Sequence, residues 1–483
     1  MRALVLIAGR GRGPWRATQS GVAGIALLAV LVMGSLYGVL VAMNTATAEL
    51  QRRRDEATAA ALRQAKDALI AYAITYSDTH PGEVIGYFPC PDNGSQPEGQ
   101  AAAGACGAAR VSQLGRLPWK TLDVGPLRDT DGQCLWYAVS GTYKNNPKSN
   151  LMNWDTPGQF EVVGPDGVLL AGTAPGNLAV AVIFAPGAAR GPQVRNPDPL
   201  KPICGGDYAN AAAYLDAAAG VDNATVSGAA DAVSRFIAPT INTPGGNLTD
   251  RVVFITADEI WAAAKKRTDL VTRLKALTEK VAQCVAQAAN ANAPIDLRLP
   301  VPASMAISVA ANGYFNLNNM DDIAPLRAGH LPYRLDDPPA GFGVPNIFGL
   351  PCMAATSDRN WYENWKDHFL YVVADEFRRS SPGPIAGCTG TCLTVGGVGT
   401  YAGIVIFGGQ RVTPQQRDTG ANKDLVASYL EGANATNFQA RYSAPGGSGS
   451  FNYVKDTSPL YPEFAYCIQP NGLGTAQVSA ECP

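Results

Sequence analysis

Cysteine is the residue type in this chain whose number and spacing point most directly to chemistry. The 483-residue sequence contains ten cysteines but only three histidines. No two cysteines are spaced as CxxC, whereas structural zinc sites usually combine such pairs with histidine or further cysteine. Cys388 and Cys392 lie close together in CTGTC, a spacing that favours a tight disulfide over a metal site. The even number of cysteines therefore predicts disulfides and an oxidising compartment.

Two further pairs of cysteines flank short segments. Cys90 and Cys106 enclose a polar loop rich in glycine and alanine, and Cys467 and Cys482 enclose the C-terminal tail. We predict a disulfide within each pair, since closing such a loop lowers the entropy of the unfolded chain. Many connectivities remain possible, and the spacing leaves open the partners of the other four cysteines: Cys134, Cys204, Cys284 and Cys352.

The histidines stand apart from any motif for nucleophilic catalysis. No GxSxG sequence is present, and a Ser-His-Asp or Cys-His arrangement needs a histidine beside a nucleophile. We interpret His80 in DTHPG as a surface loop residue, and His368 in NWKDHFLYVV as a residue that leads into a strand. The sequence therefore predicts a protein that is not an enzyme and needs no cofactor. The alternative, a periplasmic enzyme, would be favoured by a deep cleft with paired carboxylates.

Asp129 and Asp131 in DTDG are the candidate calcium ligands of the chain. Their carboxylates are oxygen ligands of the kind that calcium prefers. A single DxDG is more typical of a turn, because an aspartate side chain readily accepts hydrogen bonds from the backbone just ahead of it. The remaining oxygen ligands of such a site cannot be assigned, so we predict a turn.

Overall charge and composition restrict the function further. The chain has 38 lysines and arginines against 40 aspartates and glutamates, whereas a surface that binds nucleic acid is basic. We therefore expect no nucleic-acid partner. Glycine and proline number 51 and 35, and charged residues make up 16% of the chain. That composition indicates a loop-rich protein that contains β-structure rather than a helical bundle.

A long apolar segment near the N-terminus predicts a membrane anchor. Gly21–Met43 is apolar almost throughout and is long enough to cross a bilayer. Four arginines lie within residues 1–20, which we interpret as a basic cytoplasmic leader that leaves the rest of the chain outside. The alternative is a cleaved secretory signal that ends at the small residues Ala46–Ala48. We favour retention, because the apolar segment is longer than a normal signal sequence.

The segment after the apolar span predicts a continuation of the same helix. No glycine or proline occurs from there to Pro81, and alanine, leucine, arginine and glutamate dominate. Apolar residues recur on one face at Leu62, Leu69, Ala73 and Tyr76. We therefore predict one helix over about residues 21–76, first in lipid and then packed on a globular head. A plain anchor followed by an unrelated helix is the alternative.

The segment QSGVAGIALLAVLV, residues 19–32, resembles the start of a type IV pilin or a type II secretion pseudopilin. The resemblance implies that a prepilin peptidase cleaves between Gly21 and Val22, and that the helix contacts other pilins. Most members carry glutamate at the fifth residue after the cut, where this chain has Ala26. In that respect the chain is similar to minor pseudopilins and tip subunits that lack the glutamate.

Two halves of the remaining sequence match each other in the same order. Leu117, Pro118 and Trp119 in GRLPWK correspond to Leu331, Pro332 and Tyr333 in GHLPYR, so His330 replaces Arg116, which we interpret as a variable surface position. Further matches follow along the chain: LWYAVS with FLYVVA at 135–140 and 369–374, VIF with VIF at 182–184 and 405–407, the segments around Tyr214 and Tyr429, and PGGNLTDRVV from 244 with PGGSGSFNYV from 445.

These matches predict an internal duplication. A helix is predicted over residues 257–292, and each repeat then has the order helix, proline-rich loop and strands. The predicted fold is α+β, with a transmembrane helix over 21–43, a first pilin-like head over 44–256 and a second, tandem head over 257–483. In each head a helix packs on an antiparallel sheet. The resemblance to pseudopilins is best over residues 21–141.

The function that we predict is a non-enzymatic minor pilin-like or pseudopilin-like subunit of a type IV pilus or type II secretion pseudopilus. Two heads and the residue at position 26 favour a role at the tip or in initiation. The expected location is the bacterial inner membrane, with the N-terminus cytoplasmic and both heads periplasmic. The alternative is a membrane-anchored periplasmic binding or adhesion protein outside any filament.

Overall fold

The computed structural model describes residues 20–239, 248–289, 298–322, 325–335, 345–379, 388, 392–443, 451–455, 463–473 and 478–483. The fold is α+β, with a long apolar helix at the N-terminus followed by antiparallel and mixed sheets. Contacts divide the chain into two compact units, Met1–Ala57 and Thr58–Pro483.

Helix α1, Ser20–Ile74, is the long helix that the sequence predicts. Side chains from Gly24 to Ala48 are exposed, and this stretch includes a window with a mean hydropathy of 2.5. Within the described residues it is the one helix long and apolar enough to cross a membrane. The predicted face of the later turns is buried. A short helix, α2 (Tyr76–Thr79), follows directly.

The first sheet has seven strands whose β-branched and aromatic residues suit a pleated, buried surface. Its order is β1-β2-β5-β3-β4, with β8 parallel to β3 and β9 antiparallel to β5. Strands β6 and β7 form a separate hairpin. The bounds are β1 Gln113–Arg116, β2 Trp136–Val139, β3 Phe160–Val163, β4 Leu169–Ala171, β5 Ala179–Ala185, β6 Ala217–Ala218, β7 Val221–Asp222, β8 Ser234–Ile237 and β9 Arg251–Thr256.

Each face of the first sheet contributes side chains to a core. Successive side chains of a strand point to opposite faces, so one strand supplies both cores. Tyr137 and Ile183 on one face belong to a core that also contains Leu62 of α1. Trp136 and Phe184 on the other face belong to a second core, which loops and strands of the same region cover. The central strand β5 is therefore buried along its whole length.

Two helices follow the first sheet where the sequence predicts one over residues 257–292. Helix α3 is Ala257–Lys265, begins with a capping box from Thr256 and Glu259, and is followed by α4, Thr268–Ala288. The break falls in the run of cations that ends at Arg267, whose backbone is extended and whose side chain binds Asp78. The extended backbone of Arg267 cannot continue α3, so α4 begins separately at Thr268. Residues 290–292 lie outside the described residues.

The second sheet has the order β10-β11-β14-β16-β17 and is antiparallel throughout, and a three-stranded sheet β13-β12-β15 lies apart from it. The bounds are β10 Ala328–His330, β11 Phe369–Val373, β12 Leu393–Val395, β13 Val398–Tyr401, β14 Gly403–Phe407, β15 Asn452–Tyr453, β16 Phe464–Ile468 and β17 Val478–Glu481. Three helices accompany these strands: α5 Thr356–Trp365, α6 Gly420–Lys423 and α7 Gly432–Ser443.

Helix α4 packs on the second sheet through its predicted apolar stripe. Leu270, Leu274, Leu277 and Val281 are buried against strands β14, β16 and β17. The same continuous core also contains Leu62 of α1. Residues 58–483 therefore form one compact unit that contains both sheets.

Strand pairing corrects two of the predicted matches between the halves. VIF at 182–184 was aligned with 405–407, but Val182 pairs with Ala138 of β2 while Ile404 pairs with Val372 of β11. By strand pairing Val182 therefore corresponds to Ile404, one residue before the predicted Val405. PGGSGSFNYV was aligned with the segment that forms β9, yet Asn452–Tyr453 pairs in parallel with β12. The strand that pairs with β14, as β9 pairs with β5, is β16.

Candidate functional site

All ten cysteines form disulfides in the structure. The three predicted pairs are Cys90–Cys106, Cys388–Cys392 and Cys467–Cys482, which close loops with sequence separations of 16, 4 and 15. The two pairs that the spacing left open are Cys134–Cys204 and Cys284–Cys352, with separations of 70 and 68. A chain cross-linked in this way suits an oxidising compartment.

The carboxylate of Asp129 is occupied by the backbone rather than free for a cation. Its Oδ1 accepts hydrogen bonds from the backbone N–H groups of Asp131 and Gln133, each at 2.9 Å, and its Oδ2 accepts one from Gly187 at 2.7 Å. This is the turn that DTDG predicts. Among the described residues there is no group of three or more side chains of the types that hold metals.

The repeated Leu-Pro-aromatic motif is structural in both places. Leu117 and Leu331 are buried, and their N–H groups donate to Leu135 and Phe369 at the start of a neighbouring strand. The ring of Trp119 lies against Gly99 of a loop, where an added Cβ would be 2.3 Å from Cε2. The prolines, Pro118 and Pro332, are buried, and Tyr333 packs on Phe348 with ring centroids 5.0 Å apart.

The residues of the predicted processing site lie at the beginning of α1. Gly21 and Val22 are within the helix, and Ala26 is an exposed position on it. Cleavage between Gly21 and Val22 stays a prediction, as does the assembly role of position 26.

The prediction that His330 occupies a surface position is wrong. His330 is fully buried rather than exposed, and its Nε2 lies 3.0 Å from the hydroxyl of Tyr314. Burial lowers the pKa of His330 to about 4, although Asp367 and Asp424 oppose that effect. Its place in GHLPYR is therefore a core position, and a neutral imidazole fits it.

A cluster of buried charged side chains lies close to His330 in the fold. Asp155, His368 and Arg417 are all fully buried. Oδ2 of Asp155 is 3.1 Å from Nε2 of His368 and 3.0 Å from Nη1 of Arg417. Arg417 also donates to the carbonyl oxygen of Gly409 at 2.8 Å, and its guanidinium covers the ring of Tyr429 at 4.5 Å. The charges in this cluster are therefore paired, as burial requires.

The electrostatics of the cluster favour an ionised Asp155. Burial by itself opposes ionisation, but the Arg417 guanidinium and His368 outweigh it and hold the pKa of Asp155 well below its usual range. Asp155 belongs to a loop that follows the first half of the first sheet, whereas His368 and Arg417 flank strands of the second. The ion cluster therefore ties a loop of the first region to the second.

A neighbouring set of hydrogen bonds extends this link. Asn153 Nδ2 donates to the carbonyl oxygen of Asn364 and to Oδ1 of Asp367, each at 2.9 Å. Oδ1 of Asn364 accepts a hydrogen bond from the backbone N–H of Met152 at 2.7 Å. Asp367 in turn pairs with Lys423, and both are buried. The loop around Asn153 is thus held by polar side chains of the second region.

A cleft of about 650 Å³ lies above this cluster, within the size range of ligand-binding cavities. Asp155 and Lys423 line it along with groups from both regions. The first region supplies Arg110, Gln159, Leu178, Asp231 and Val233, and the second supplies Asn312, Tyr314, Phe315, Asp418 and Thr419. Neither region alone encloses the cleft.

Three residues in the walls of the cleft have a left-handed backbone conformation. Arg110, Asp231 and Asn312 have φ values of 61°, 59° and 61°. They are three of the seven non-glycine residues with positive φ in the described chain. Such conformations cost free energy and persist where the surroundings enforce them, frequently at functional sites. The cleft is therefore the candidate functional site of the protein.

No protein-family model, no curated protein and no solved structure matches this chain at a significant level. The interpretation of the site therefore depends on its own geometry. The cleft and the ion cluster were both missed from the sequence, because residues 155, 368 and 417 lie far apart in the chain and no local motif joins them.

Proposed function

We propose that this protein is a non-enzymatic, membrane-anchored subunit of the type IV pilin or type II secretion pseudopilin kind, with two tandem pilin-like heads. The observation that carries the proposal is helix α1. It is an unbroken helix of 55 residues whose early side chains are apolar and exposed and whose last turns, from Leu62, are buried beside an antiparallel sheet. A helix that serves only as an anchor has no need of this continuity.

The order of strands supports the proposed duplication. In the first region β1 pairs with β2, β2 with β5 and β5 with β9, all antiparallel. In the second region β10, β11, β14 and β16 pair in the same way. A hairpin accompanies each set: β3 pairs with β4 and runs parallel to β8, and β12 pairs with β13 and runs parallel to β15.

Individual hydrogen bonds repeat at the matched positions. The hydroxyl of Tyr137 donates to the carbonyl oxygen of Pro89, and that of Tyr371 donates to the carbonyl oxygen of Pro300. At the residue before Leu117 the Arg116 guanidinium lies 3.9 Å from the ring of Tyr214. At the residue before Leu331, His330 likewise lies against the ring of Tyr429, with centroids 6.0 Å apart.

A pair of neighbouring carboxyl groups also occurs twice. Asp250 directly precedes β9 and accepts hydrogen bonds from the backbone N–H of Asp216 and from Asn223 Nδ2, each at 2.9 Å. Glu463 directly precedes β16 and accepts the same two kinds of bond, from the N–H of Glu431 and from Asn434 Nδ2, each at 3.1 Å. Asp216 and Glu431 each lie two residues after a matched tyrosine, in YLD and YLE.

The two asparagines have the same second partner. Oδ1 of Asn223 accepts the N–H of Ile237 at the end of β8, and Oδ1 of Asn434 accepts the N–H of Val454 just after β15, each at 2.8 Å. Such a network of side chains is unlike the chance similarity of turn sequences. It supports the proposal that the two heads, 44–256 and 257–483, are copies of one unit.

The proposed location is the bacterial inner membrane, with the heads in the periplasm. The apolar first half of α1 supports an anchor, and the disulfides support an oxidising compartment. Ala26 at the usual place of glutamate, together with two heads, favours a minor subunit at the tip or in initiation of a filament.

The N-terminus of the mature protein tests this proposal. We expect mass spectrometry of the full chain, co-expressed with a prepilin peptidase, to show a protein that begins at Val22. The variant Gly21→Leu should remain uncleaved, and the matched variant Gly24→Leu, whose position has open space around it, should be processed normally. A mature protein that begins at Met1 or at Glu49 would count against a pilin-like subunit.

A second candidate function is a membrane-anchored binding or adhesion protein outside any filament. The cleft of about 650 Å³ between the two regions favours it, because a cavity of this size can hold a ligand. Co-purification separates the two candidates. A filament subunit travels with sheared pili or with other pseudopilins, whereas an independent binding protein remains in the membrane fraction.

A further inference from the structure

The outer edge of strand β9 is a sheet edge at which the two regions differ. Among the described strands, β9 pairs with β5 alone, and the chain passes from Thr256 directly into α3. Its counterpart β16 lies between β14 and β17. Within the described chain, β9 therefore has an open edge at the place where the second sheet has one strand more.

Strand pairing shows which residues of β9 and β16 correspond. A row of paired residues crosses the first sheet from Arg116 of β1 to Val252 of β9. A row of the same length crosses the second sheet from His330 of β10 to Ala465 of β16. Because Arg116 and His330 occupy matched positions in GRLPWK and GHLPYR, Val252 corresponds to Ala465.

The backbone of Val252 and Phe254 faces the open edge. Ala465, the counterpart of Val252, turns its carbonyl oxygen to β17, where it accepts the N–H of Cys482 at 2.8 Å. The carbonyl oxygen of Phe254 accepts a hydrogen bond from Lys66 Nζ at 2.8 Å. Backbone N–H and C=O groups point to the two sides of a strand in alternation, so both residues point away from β5. The described residues give Val252 no partner on that side.

Apolar side chains are also incompletely covered at this edge. Val252, Val253 and Phe254 are half-buried, whereas every residue of β16 is buried. Val253 packs on the core that contains Leu62, and Phe254 packs on the core of the opposite face. A strand added along β9 would therefore cover apolar surface on both faces of the sheet, in the position that β17 has beside β16.

Lysine side chains indicate the charge of a strand that fits this edge. In the second region, Lys275 of α4 lies 2.7 Å from Glu481 of β17. In the first region, Lys66 of α1 lies beside β9, where its Nζ is 2.7 Å from Glu259. Arg63, three residues earlier on the same side of α1, is exposed. A strand that carries an acidic residue where β17 has Glu481 would meet these cations.

We propose that the outer edge of β9 binds an extended, acidic segment of another protein, which joins the first sheet as an antiparallel strand. Its backbone would pair with Val252 and Phe254, and an acidic side chain would take the Phe254 carbonyl's place as a partner of Lys66. In this mode of recognition main-chain hydrogen bonds supply affinity and alternate side chains supply specificity. The proposal rests on the correspondence between β9 and β16 and not on membership of a filament.

Binding of labelled peptides to the full chain in detergent micelles tests this edge. The probe is a fluorescein-labelled octapeptide, TEVETEVE, and its counterpart TKVKTKVK has lysine in place of glutamate. We expect fluorescence anisotropy to show at least about fivefold tighter binding of the acidic peptide, since only that peptide can pair with Lys66. Hydrogen exchange of residues 251–256 should slow when the acidic peptide is bound.

N-methylation of the probe tests the backbone pairing. In β17 the N–H of Cys482 faces β16, whereas the side chain of Glu481 reaches Lys275. In the probe the N–H groups of threonine and valine should therefore face β9. Methyl groups on those nitrogens should weaken binding by at least about tenfold, because each removes a hydrogen bond. Methyl groups on the glutamate nitrogens instead should leave the affinity within about twofold of the parent peptide, because those N–H groups face away.

Two variants locate the binding. Val252→Pro removes an N–H at the open edge, where a sheet tolerates proline, and should weaken binding of the acidic peptide about fivefold. Lys66→Glu should reverse the preference between the two peptides. Lys120→Glu makes the same change of charge at an exposed residue after β1, at the opposite edge of the sheet, and should leave both affinities unchanged. Near-ultraviolet circular dichroism checks the fold of each variant, and Lys66→Glu decides the test where Val252→Pro does not fold.

Four results would overturn the proposal. The first three are equal affinity of the acidic and basic peptides, an equal effect of the two methylation patterns, and no saturable binding of the acidic peptide up to about 1 mM. The fourth is a dimer of the chain, seen by light scattering, that Val252→Pro abolishes, because that result assigns the edge of β9 to a second copy.

Discussion

Cys134 and His368, which precede the second strand of the first and the second region, are held by different kinds of bond. Cys134 lies two residues before β2. A disulfide joins it to Cys204 in the loop that leads to Tyr214. His368 directly precedes Phe369 in β11, and it shares Asp155 with Arg417 in the loop that leads to Tyr429. One region thus uses a covalent bond where the other uses buried charges.

The difference has a consequence for how the regions are joined. The disulfide closes on its own region, whereas the ionic cluster takes its carboxylate from a loop of the first region. Under the proposed duplication, His368 stands where the first copy has Cys134, and its partner is Asp155 rather than a cysteine. The ionic cluster, unlike the disulfide, therefore contributes to the connection between the regions.

Removal of Asp155 should have the largest effect. In Asp155→Ala, Arg417 and His368 remain buried without their carboxylate, which typically costs about 3–5 kcal/mol. We expect a loss of that size in the free energy of unfolding, measured with urea on the full chain in detergent. Asp67→Ala, at an exposed position, is the control. A loss below about 1 kcal/mol would show that the cluster does not hold the regions together.

Removal of the corresponding disulfide should cost somewhat less. The variant Cys134→Ala/Cys204→Ala opens a loop with a sequence separation of 70, and loss of such a bridge costs about 2–4 kcal/mol. The same urea titration checks this value. Cys388→Ala/Cys392→Ala, which opens a loop with a separation of only 4, should cost less. Equal losses in the two double variants would contradict the dependence on loop length.

The two buried carboxyl pairs should differ in their response to pH. Burial, together with neighbouring carboxylates, raises the pKa of Asp250 to about 7 and that of Glu463 to about 9. A raised pKa means that the folded protein holds a proton that the unfolded chain has lost. Stability from each group is therefore present at low pH and declines as pH rises through the window up to its folded pKa.

Between pH 7 and pH 8 the two groups should separate. Asp250 passes from about half ionised to almost fully ionised, a decline of about 0.3 kcal/mol, whereas Glu463 contributes a decline of about 1.4 kcal/mol per pH unit. We expect Glu463→Gln to reduce the decline over this interval much more than Asp250→Asn does. Urea titrations at the two pH values measure both slopes. Equal slopes in the two variants would refute the ranking.

The periodic parts of the fold could be predicted from sequence, and the positions that need long-range contacts could not. The apolar stripe of α4 and the face of α1 at Leu62 and Leu69 follow from helical spacing and are buried as predicted. The matched residues Leu117 and Leu331 donate equivalent backbone hydrogen bonds, to Leu135 and Phe369. In contrast, the predicted match of VIF at 182–184 with VIF at 405–407 is one residue out of register. A short apolar run does not specify which of its residues pairs with which residue of the neighbouring strand.

The buried charges illustrate the same limit. His330 was interpreted as exposed because it replaces an arginine, yet both Arg116 and His330 are buried against aromatic rings. An aromatic wall can stabilise a cation or a neutral imidazole. Polarity in a strand therefore does not establish exposure, and only the fold shows which partners, such as Tyr214, are present.

Two partly exposed ion pairs made by the helices should contribute least. Lys66 of α1 lies 2.7 Å from Glu259, and Lys275 of α4 lies 2.7 Å from Glu481. Pairs of this kind are worth about 0–1 kcal/mol. Glu259→Gln keeps the acceptor that caps α3, so its effect reports on the pair alone.

We expect Glu259→Gln and Glu481→Gln each to lower the free energy of unfolding by less than about 1 kcal/mol. The loss should shrink further at 1 M salt, where the Debye length is about 3 Å. The loss from Asp155→Ala should persist in the same salt, because a buried pair is poorly screened. A surface variant that lost as much as the buried one would mean that the regions are held by their helices rather than by the ion cluster.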